Sequence, residues 1–330
     1  MLAEPLLFPR TTPAGYDPLE DDEDFIPSRH LALEPCTGRL TLAELGYTPE
    51  EIALCASPIA VSGVFRLLSD EGVAVLRRIC RALEPSAVSG RRIAKMVRGA
   101  AYRSRFVRGL CLSPEVTEFC SKIFETELAP HTMPAQLGHI NYAPEDLSRA
   151  VDRWHHDTLG FDYVLMVNDP NTFRGGRFQY FLGTKREAAE LAKAGREPPP
   201  ERVVSPHFPG AGYALLQQGN MVVHRGGRLE EPAERITFIN GYVARDIAKP
   251  DPSRLSDLRV WDPPHVVYPE WARHKAWLAR AKLDAAIEQM PFTDDREALV
   301  AHLRAAIADV EDAIADLTSD APPGEVWYAG

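Results

Sequence analysis

The sequence predicts a mainly β protein flanked by helices on both sides of its core. Three observations carry that expectation. Between residues 134 and 246, short apolar or alternating runs follow one another, separated by Gly, Pro, Asn and Asp. Before residue 134 the apolar residues recur at helical spacing, and from Pro269 they do so again. Several short strands in succession suggest a sandwich or a barrel.

Taken in order, residues 1–60 are rich in proline and acid, including the run Glu20-Asp21-Asp22-Glu23-Asp24, and read as an irregular arm wrapped on the core. Residues 61–133 read as a helical flank. Ser69 caps a helix ending at Leu83, with Val73, Leu76, Cys80 and Leu83 on one face. Ser113-Pro114 opens another, with Val116, Phe119, Cys120 and Ile123 as its apolar face.

Residues 134–247 form the predicted core. Its strands are Gln136–Tyr142, Tyr163–Asn168, Arg177–Leu182, Tyr213–Gln217, Met221–His224 and Arg235–Ala244. The charged, Ala-rich segment Lys185–Arg202 breaks the rhythm and reads as a helical insertion or lid. Residues 248–330 are a helical extension in which Asp294 and Glu297 suggest a capping box. There Leu303, Ile307, Val310, Ile314 and Leu317 recur at 4-3-4-3 spacing. A helix packed on its own domain fits that stripe first, and a homodimer through the C-terminal helices is the alternative.

Composition excludes some functions. The chain has 330 residues, 45% apolar and 25% charged, with a net charge of −10. An acidic chain repels phosphate backbones, so nucleic acid is not the expected partner; Arg98–Arg108 is the only basic stretch and reads as a solvated face. Cys36, Cys55, Cys80, Cys111 and Cys120 are odd in number and never spaced as CxxC, which argues against a disulfide framework or a zinc knuckle. Buried thiols in a reducing cytoplasm are expected. No apolar run reaches 18 residues, so no membrane span is expected, and Leu2–Phe8 is too short for a signal-peptide core and contains Glu4 with no basic residue before it, so no targeting segment is expected.

The chemistry concentrates in three signals. In Trp154-His155-His156-Asp157, strand alternation would point His155 and Asp157 the same way and His156 the other. His224 closes the apolar run after Gly219-Asn220. Arg235-Ile236-Thr237 follows eleven positions later, and Arg235, Thr237 and Ile239 share one strand face. An interior arginine is costly unless an anion pairs with it, and its fork matches a carboxylate. Two histidines and a carboxylate with open positions are the ligand set of non-haem iron(II) oxygenases.

The arrangement H-x-D, distal H, R-x-T resembles the iron(II)- and 2-oxoglutarate-dependent dioxygenase superfamily, with phytanoyl-CoA hydroxylase-like and prolyl-hydroxylase-like members nearest in flavour. Gly175-Gly176-Arg177-Phe178, Gly219-Asn220-Met221-Val222 and Gly138-His139-Ile140-Asn141-Tyr142 extend the resemblance over residues 134–246. It implies a double-stranded β-helix, or jelly roll, with iron held by His155, Asp157 and His224. It also implies that Arg235, with Thr237 beside it, anchors the distal carboxylate of 2-oxoglutarate, with Tyr142 as a further pocket residue. Asn141 would then face away from Tyr142, so only one of the two enters the pocket. His139 and Arg174 are candidate substrate contacts, together with Asn141.

The implied reaction couples oxidative decarboxylation of 2-oxoglutarate, with O2, to hydroxylation, desaturation or ring formation on a small molecule. An amino acid or a natural-product intermediate is the expected substrate class. Halogenating members carry a small residue where Asp157 stands. Two rivals use less of the pattern. A cupin-type enzyme or zinc hydrolase needs the histidines but not Arg235, and a non-enzymatic jelly-roll binding protein needs none of the ligands. Substrate choice is expected to lie with Lys185–Arg202, His207–Gly212 and the arm.

Overall fold

The computed structural model describes residues 2–20 and 22–328. In chain order it contains α1 (Pro27–His30), β1 (Arg39–Thr41), α2 (Pro49–Ala53), β2 (Ile59–Ser62), β3 (Phe65–Arg66) and α3 (Asp70–Leu83). Next come β4 (Met96–Val97), α4 (Ala100–Arg103), α5 (Arg105–Cys111), α6 (Pro114–Phe124), β5 (Leu128–Pro130), β6 (His139–Tyr142) and β7 (Asp152–His155). They are followed by β8 (Phe161–Met166), β9 (Phe178–Phe181), α7 (Lys185–Lys193), β10 (Val203–Val204), β11 (Tyr213–Gln217), β12 (His224–Gly226) and β13 (Ile236–Ala244). Three helices close the chain: α8 (Leu255–Leu258), α9 (Pro264–Gln289) and α10 (Arg296–Thr318).

The strands form two antiparallel sheets. The larger runs β1-β2-β11-β8-β13-β6-β4, with β3 added on β11 and β5 on β13; the smaller runs β10-β9-β12-β7. Strands β1 to β5 precede residue 134, so the arm and the helical flank both lend strands to the sheet.

Both faces of the larger sheet are buried, and alternation sorts the side chains. Phe161, Tyr163 and Leu165 on β8, with Ile236 and Phe238 on β13, pack against Leu76, Ile79, Phe106, Leu110 and Phe124 of α3, α5 and α6. Val164 and Met166 point the other way and meet Phe178 of β9 between the sheets. Burying an aromatic such as Phe238 contributes roughly 2–3 kcal/mol. Serine caps set where the helices begin: Ser69 Oγ accepts from Gly72 N at 3.1 Å, and Ser113 Oγ from Val116 N at 3.3 Å.

Several expectations need correction. Met221–Val223 is a turn held by bonds from Met221 N and Val222 N to Gln218 O, and the strand starts at His224; the run is apolar because it is buried while crossing between sheets. The last helix is capped by Asp295, which accepts from Ala298 N, one residue beyond the expected Asp294. The preceding helix starts at Pro264, five residues before Pro269.

Arg98–Arg108 is no solvated basic face. Arg98 forks onto Asp262 at 2.7 and 3.0 Å, Arg105 binds Asp22, and Arg108 lies 4.4 Å over the Phe8 ring. These arginines fasten the arm and the C-terminal extension to the core. The arm's acid run includes Asp21, which lies outside the described residues; Glu23 pairs with Arg78 at 2.5 Å. All five cysteines are free, and Cys80, Cys111 and Cys120 are buried. No helix of the described residues is long and apolar enough to cross a membrane.

The predicted stripe on α10 also behaves unexpectedly. The helix buries Ala306, Asp309 and Ala313 against α9 and the α8 region, and leaves the aliphatic stripe exposed.

Candidate metal centre and its pocket

The neighbouring strands β7 and β12 bring His155 and His224 directly opposite each other, with ring centroids 4.2 Å apart. Asp157 lies two residues past the end of β7, where its N–H donates to Gly219 O at 2.8 Å. Its carboxylate sits 3.2 Å from His155 Nε2 and 3.4 Å from His224 Nε2. One donor atom from each of the three lies within 4.8 Å of the others. Three donors each about 2.1 Å from one ion and mutually perpendicular stand about 3 Å apart, so the spacing fits a facial triad. Glycine is required at position 219, because a Cβ there would come within 2.4 Å of Asp162 Oδ2 and 2.6 Å of Asp157 Oδ2.

The imidazoles are oriented for ligation. His155 Nδ1 donates to Arg153 O at 2.7 Å, and His224 Nδ1 to Val222 O at 3.0 Å. That tautomer leaves both Nε2 lone pairs facing Asp157. Burial, then the charge of Arg92, lowers the pKa of His155 to about 3, and burial lowers that of His224, so both are neutral. Burial works against ionising Asp157, and the charge of Arg92 favours its ionised form. Asp162, beneath it on β8, is pushed well up by burial and by Asp157, and Gln217 Nε2 donates to its Oδ1 at 3.0 Å.

Arg235, just before β13, is 3% exposed and lines the same cavity as the triad. Its Nε donates to Gly176 O and its Nη1 to Thr237 Oγ1, both at 2.9 Å, and it has no ion-pair partner among the described residues. Burial lowers its pKa from 12.5 to about 10, with only Asp152 opposing at a distance. The acceptor carbonyl comes from Gly175-Gly176, both at positive φ; a Cβ on Gly175 would approach Arg228 O to 2.4 Å.

The cavity also takes in His139, Asn141 and Thr237. His139 Nε2 and Asn141 Oδ1 are 2.7 Å apart. Tyr142 does not enter it. Strand alternation turns its ring into the helical layer, where its hydroxyl donates to Cys80 O at 2.7 Å. Arg174 does not enter either; it lies at the surface, paired with Glu230 at 3.0 Å. Nor do the expected loops line the cavity. Helix α7 packs through Ala188 against Trp154, Phe181, Val223 and Tyr328.

Their place is taken by residues remote in sequence. Arg92, paired with Asp152 and Glu325, lines the cavity with Trp261 and Val326. The C-terminal tail runs alongside the ligand strand, with Trp327 bridging to His155, Tyr328 N donating to Trp154 O at 2.6 Å, and Tyr328 Oη 2.7 Å from His156 Nδ1. Nothing local in the sequence flags the tail. Asp162 and Gln217 did carry a signal, as polar residues inside otherwise apolar strands.

No protein-family model and no curated protein sequence matches the chain. Among solved structures, it is similar to the non-heme alpha ketoglutarate dependent epimerase SnoN from nogalamycin biosynthesis, at 15% identity over 61% of this chain and 83% of that one, with a TM-score of 0.41. It is similar to EctD from S. alaskensis with 2-oxoglutarate and 5-hydroxyectoine, at 15% identity over 68% and 84%, with a TM-score of 0.40. It is also similar to HygX from Streptomyces hygroscopicus with nickel and 2-oxoglutarate bound, at 14% identity over 60% and 87%, with a TM-score of 0.37. The similarity is loose, and the functional reading rests on the site itself.

Proposed function

We propose that the protein is an iron(II)- and 2-oxoglutarate-dependent oxygenase acting on a small molecule, and that its two sheets are the halves of a double-stranded β-helix. The observation that carries the reading is a buried guanidinium with no acid partner among the described residues, in the cavity of an open two-histidine, one-carboxylate triad. Such a group calls for an anion from outside the chain. A carboxylate accepts its fork, and the adjacent Thr237 hydroxyl adds a donor. A cupin-type enzyme would need the triad, but would leave Arg235 without a purpose.

The residues present fit the metal. His155 Nε2, His224 Nε2 and Asp157 would hold iron, and Arg235 with Thr237 would hold the far carboxylate of 2-oxoglutarate. Bound together, iron and 2-oxoglutarate supply oxidation of a substrate C–H bond by dioxygen. The chain's own part is placement. The Arg153 and Val222 carbonyls fix the imidazole tautomers, and Gln217 holds Asp162 under Asp157. The Arg92–Glu325 pair and Trp261 wall the cavity. His139, Asn141, Arg92 and Trp261 are the groups a substrate would meet, which favours a small polar metabolite such as an amino acid or a natural-product intermediate. Asp157 favours hydroxylation, desaturation or cyclisation over halogenation.

Anaerobic addition of iron(II) and 2-oxoglutarate should produce a weak visible charge-transfer band, lost in Asp157→Ala. Succinate release across a panel of amino acids and small acids should then identify the substrate. A folded wild-type protein that gives no band refutes the reading.

A further inference from the structure

Helices α9 and α10 form an antiparallel hairpin, tied by Lys282 Nζ to Asp309 Oδ2 at 2.6 Å. Along α10, the side chains turned toward the chain's own core are small or paired: Ala306, Asp309 and Ala313. The aliphatic ones are left outside. Val300, Leu303, Ile307, Val310, Ile314 and Leu317 are 45, 51, 38, 38, 58 and 38% exposed. Their spacing is 3-4-3-4-3, the seam of a coiled coil. Val300, Ile307 and Ile314 occupy the first core position of each heptad, and Leu303, Val310 and Leu317 the fourth.

We propose that this seam binds a second copy of the chain, with the two α10 helices antiparallel about a two-fold axis passing near Ala308 and Asp309. That axis makes the seam self-complementary. It sets Val300 against Leu317, Leu303 against Ile314 and Ile307 against Val310 of the second copy, and every layer is satisfied at once. The charges choose the same arrangement. Arg304 and Glu311 occupy the same flanking position, one heptad apart, and both are exposed with no ion pair in their own chain among the described residues. The axis brings Arg304 beside Glu311 of the second copy, and Glu311 beside Arg304, so the pair forms twice. A parallel pairing would face this flanking position with Leu299, Ala306 and Ala313 of the second copy, so Arg304 and Glu311 would find no partner, and the helix dipoles would be aligned unfavourably.

The charges of α10 keep the same sense along its length, with Arg296 and Arg304 against the single acid Glu297 in its first half and Glu311, Asp312 and Asp316 in its second. Six half-exposed aliphatic side chains from each copy amount to roughly 800–1,000 Å² of apolar area, close to the lower bound of about 1,200 Å² for a specific interface. The dimer should therefore be concentration-dependent.

The test is the mass of the full chain in solution, by light scattering and sedimentation over a concentration series. The wild type should move from 36.6 kDa toward twice that mass. Ile307→Glu, at the axis and on the surface, should remain monomeric, with the thermal stability that the wild type shows when diluted to monomer. Arg304→Glu or Glu311→Arg alone should weaken association by about tenfold or more, through two lost pairs and two new repulsions. The double variant Arg304→Glu/Glu311→Arg should restore it. A wild type that stays monomeric throughout overturns the proposal, as does a dimer that survives Ile307→Glu. Failure of the double swap to restore association overturns the antiparallel register. None of these readouts depends on what the metal site does.

Discussion

Replacing Arg235 with leucine separates two effects of opposite sign. Without co-substrate, the buried guanidinium is a burden on the fold. Its pKa is lowered from 12.5 to about 10 by burial. At pH 7, below both values, that cost is fully present, and at about 1.4 kcal/mol per unit it is on the order of 3 kcal/mol. Leucine removes it while giving up the hydrogen bonds to Gly176 O and Thr237 Oγ1, worth about 1 kcal/mol each. The unliganded variant should therefore be as stable as the wild type, or up to about 1–2 kcal/mol more stable. With 2-oxoglutarate the balance reverses. Two charge-assisted hydrogen bonds to a carboxylate, at about 1.5–3 kcal/mol each, amount to two to four orders of magnitude in Kd. The assay is thermal unfolding with manganese(II), with and without 2-oxoglutarate, beside calorimetric titration of each. A co-substrate at about a hundred times its Kd raises wild-type stability by about 2.7 kcal/mol, and the variant at the same concentration should show at most about 0.4 kcal/mol of that rise. Metal and 2-oxoglutarate affinities falling together, or an unchanged 2-oxoglutarate affinity, would refute the anchoring role.

Further outcomes follow from the same structure. Asp157→Ala should abolish metal binding and turnover while leaving the fold intact, since the loss also relieves the charge facing Asp162; titration with manganese(II) and circular dichroism check both, and full activity would remove Asp157 from the site. Tyr142→Phe should cost about 1 kcal/mol of stability through the lost bond to Cys80 O, with no change in 2-oxoglutarate Kd; a tenfold rise in that Kd would return Tyr142 to the pocket. Glu270 is pushed up from 4.5 to about 7 by burial, although Tyr102 Oη and Ala135 N donate to it. Between those values the folded state holds more protons than the unfolded one, so stability falls as pH rises through the window and levels off above 7. Glu270→Gln should flatten that slope by up to about 3 kcal/mol; parallel stability–pH curves for the two proteins would contradict it.

The residues of the metal site were legible as strings before their geometry existed. H-x-D and R-x-T put paired side chains on common faces, because alternation along an extended chain is a local property. Helix starts at Ser69 and Ser113 were legible for the same reason, since a cap depends on three or four neighbouring residues. Strand limits were less so. Both faces of β8 are buried, which erases the polar–apolar alternation that marks a strand with one wet face. Alternation also said that Asn141 and Tyr142 part company, without saying which of them meets the cavity.

What the sequence by itself determined is therefore the chemical repertoire: two imidazoles, one carboxylate, one guanidinium, and the spacing that lets each adopt its local pose. The tertiary structure alone decided the pairing of His224 with His155 across β12 and β7, the burial of Arg235 against Gly176, and the delivery of Arg92, Trp261 and Glu325 to one cavity. It also decided that α10 turns its alanines inward and its aliphatic residues out. The reason is physical. Local spacing fixes which way a side chain leaves the backbone, whereas what it meets depends on contacts between segments tens to hundreds of residues apart, and those form only when the sheets and helices pack.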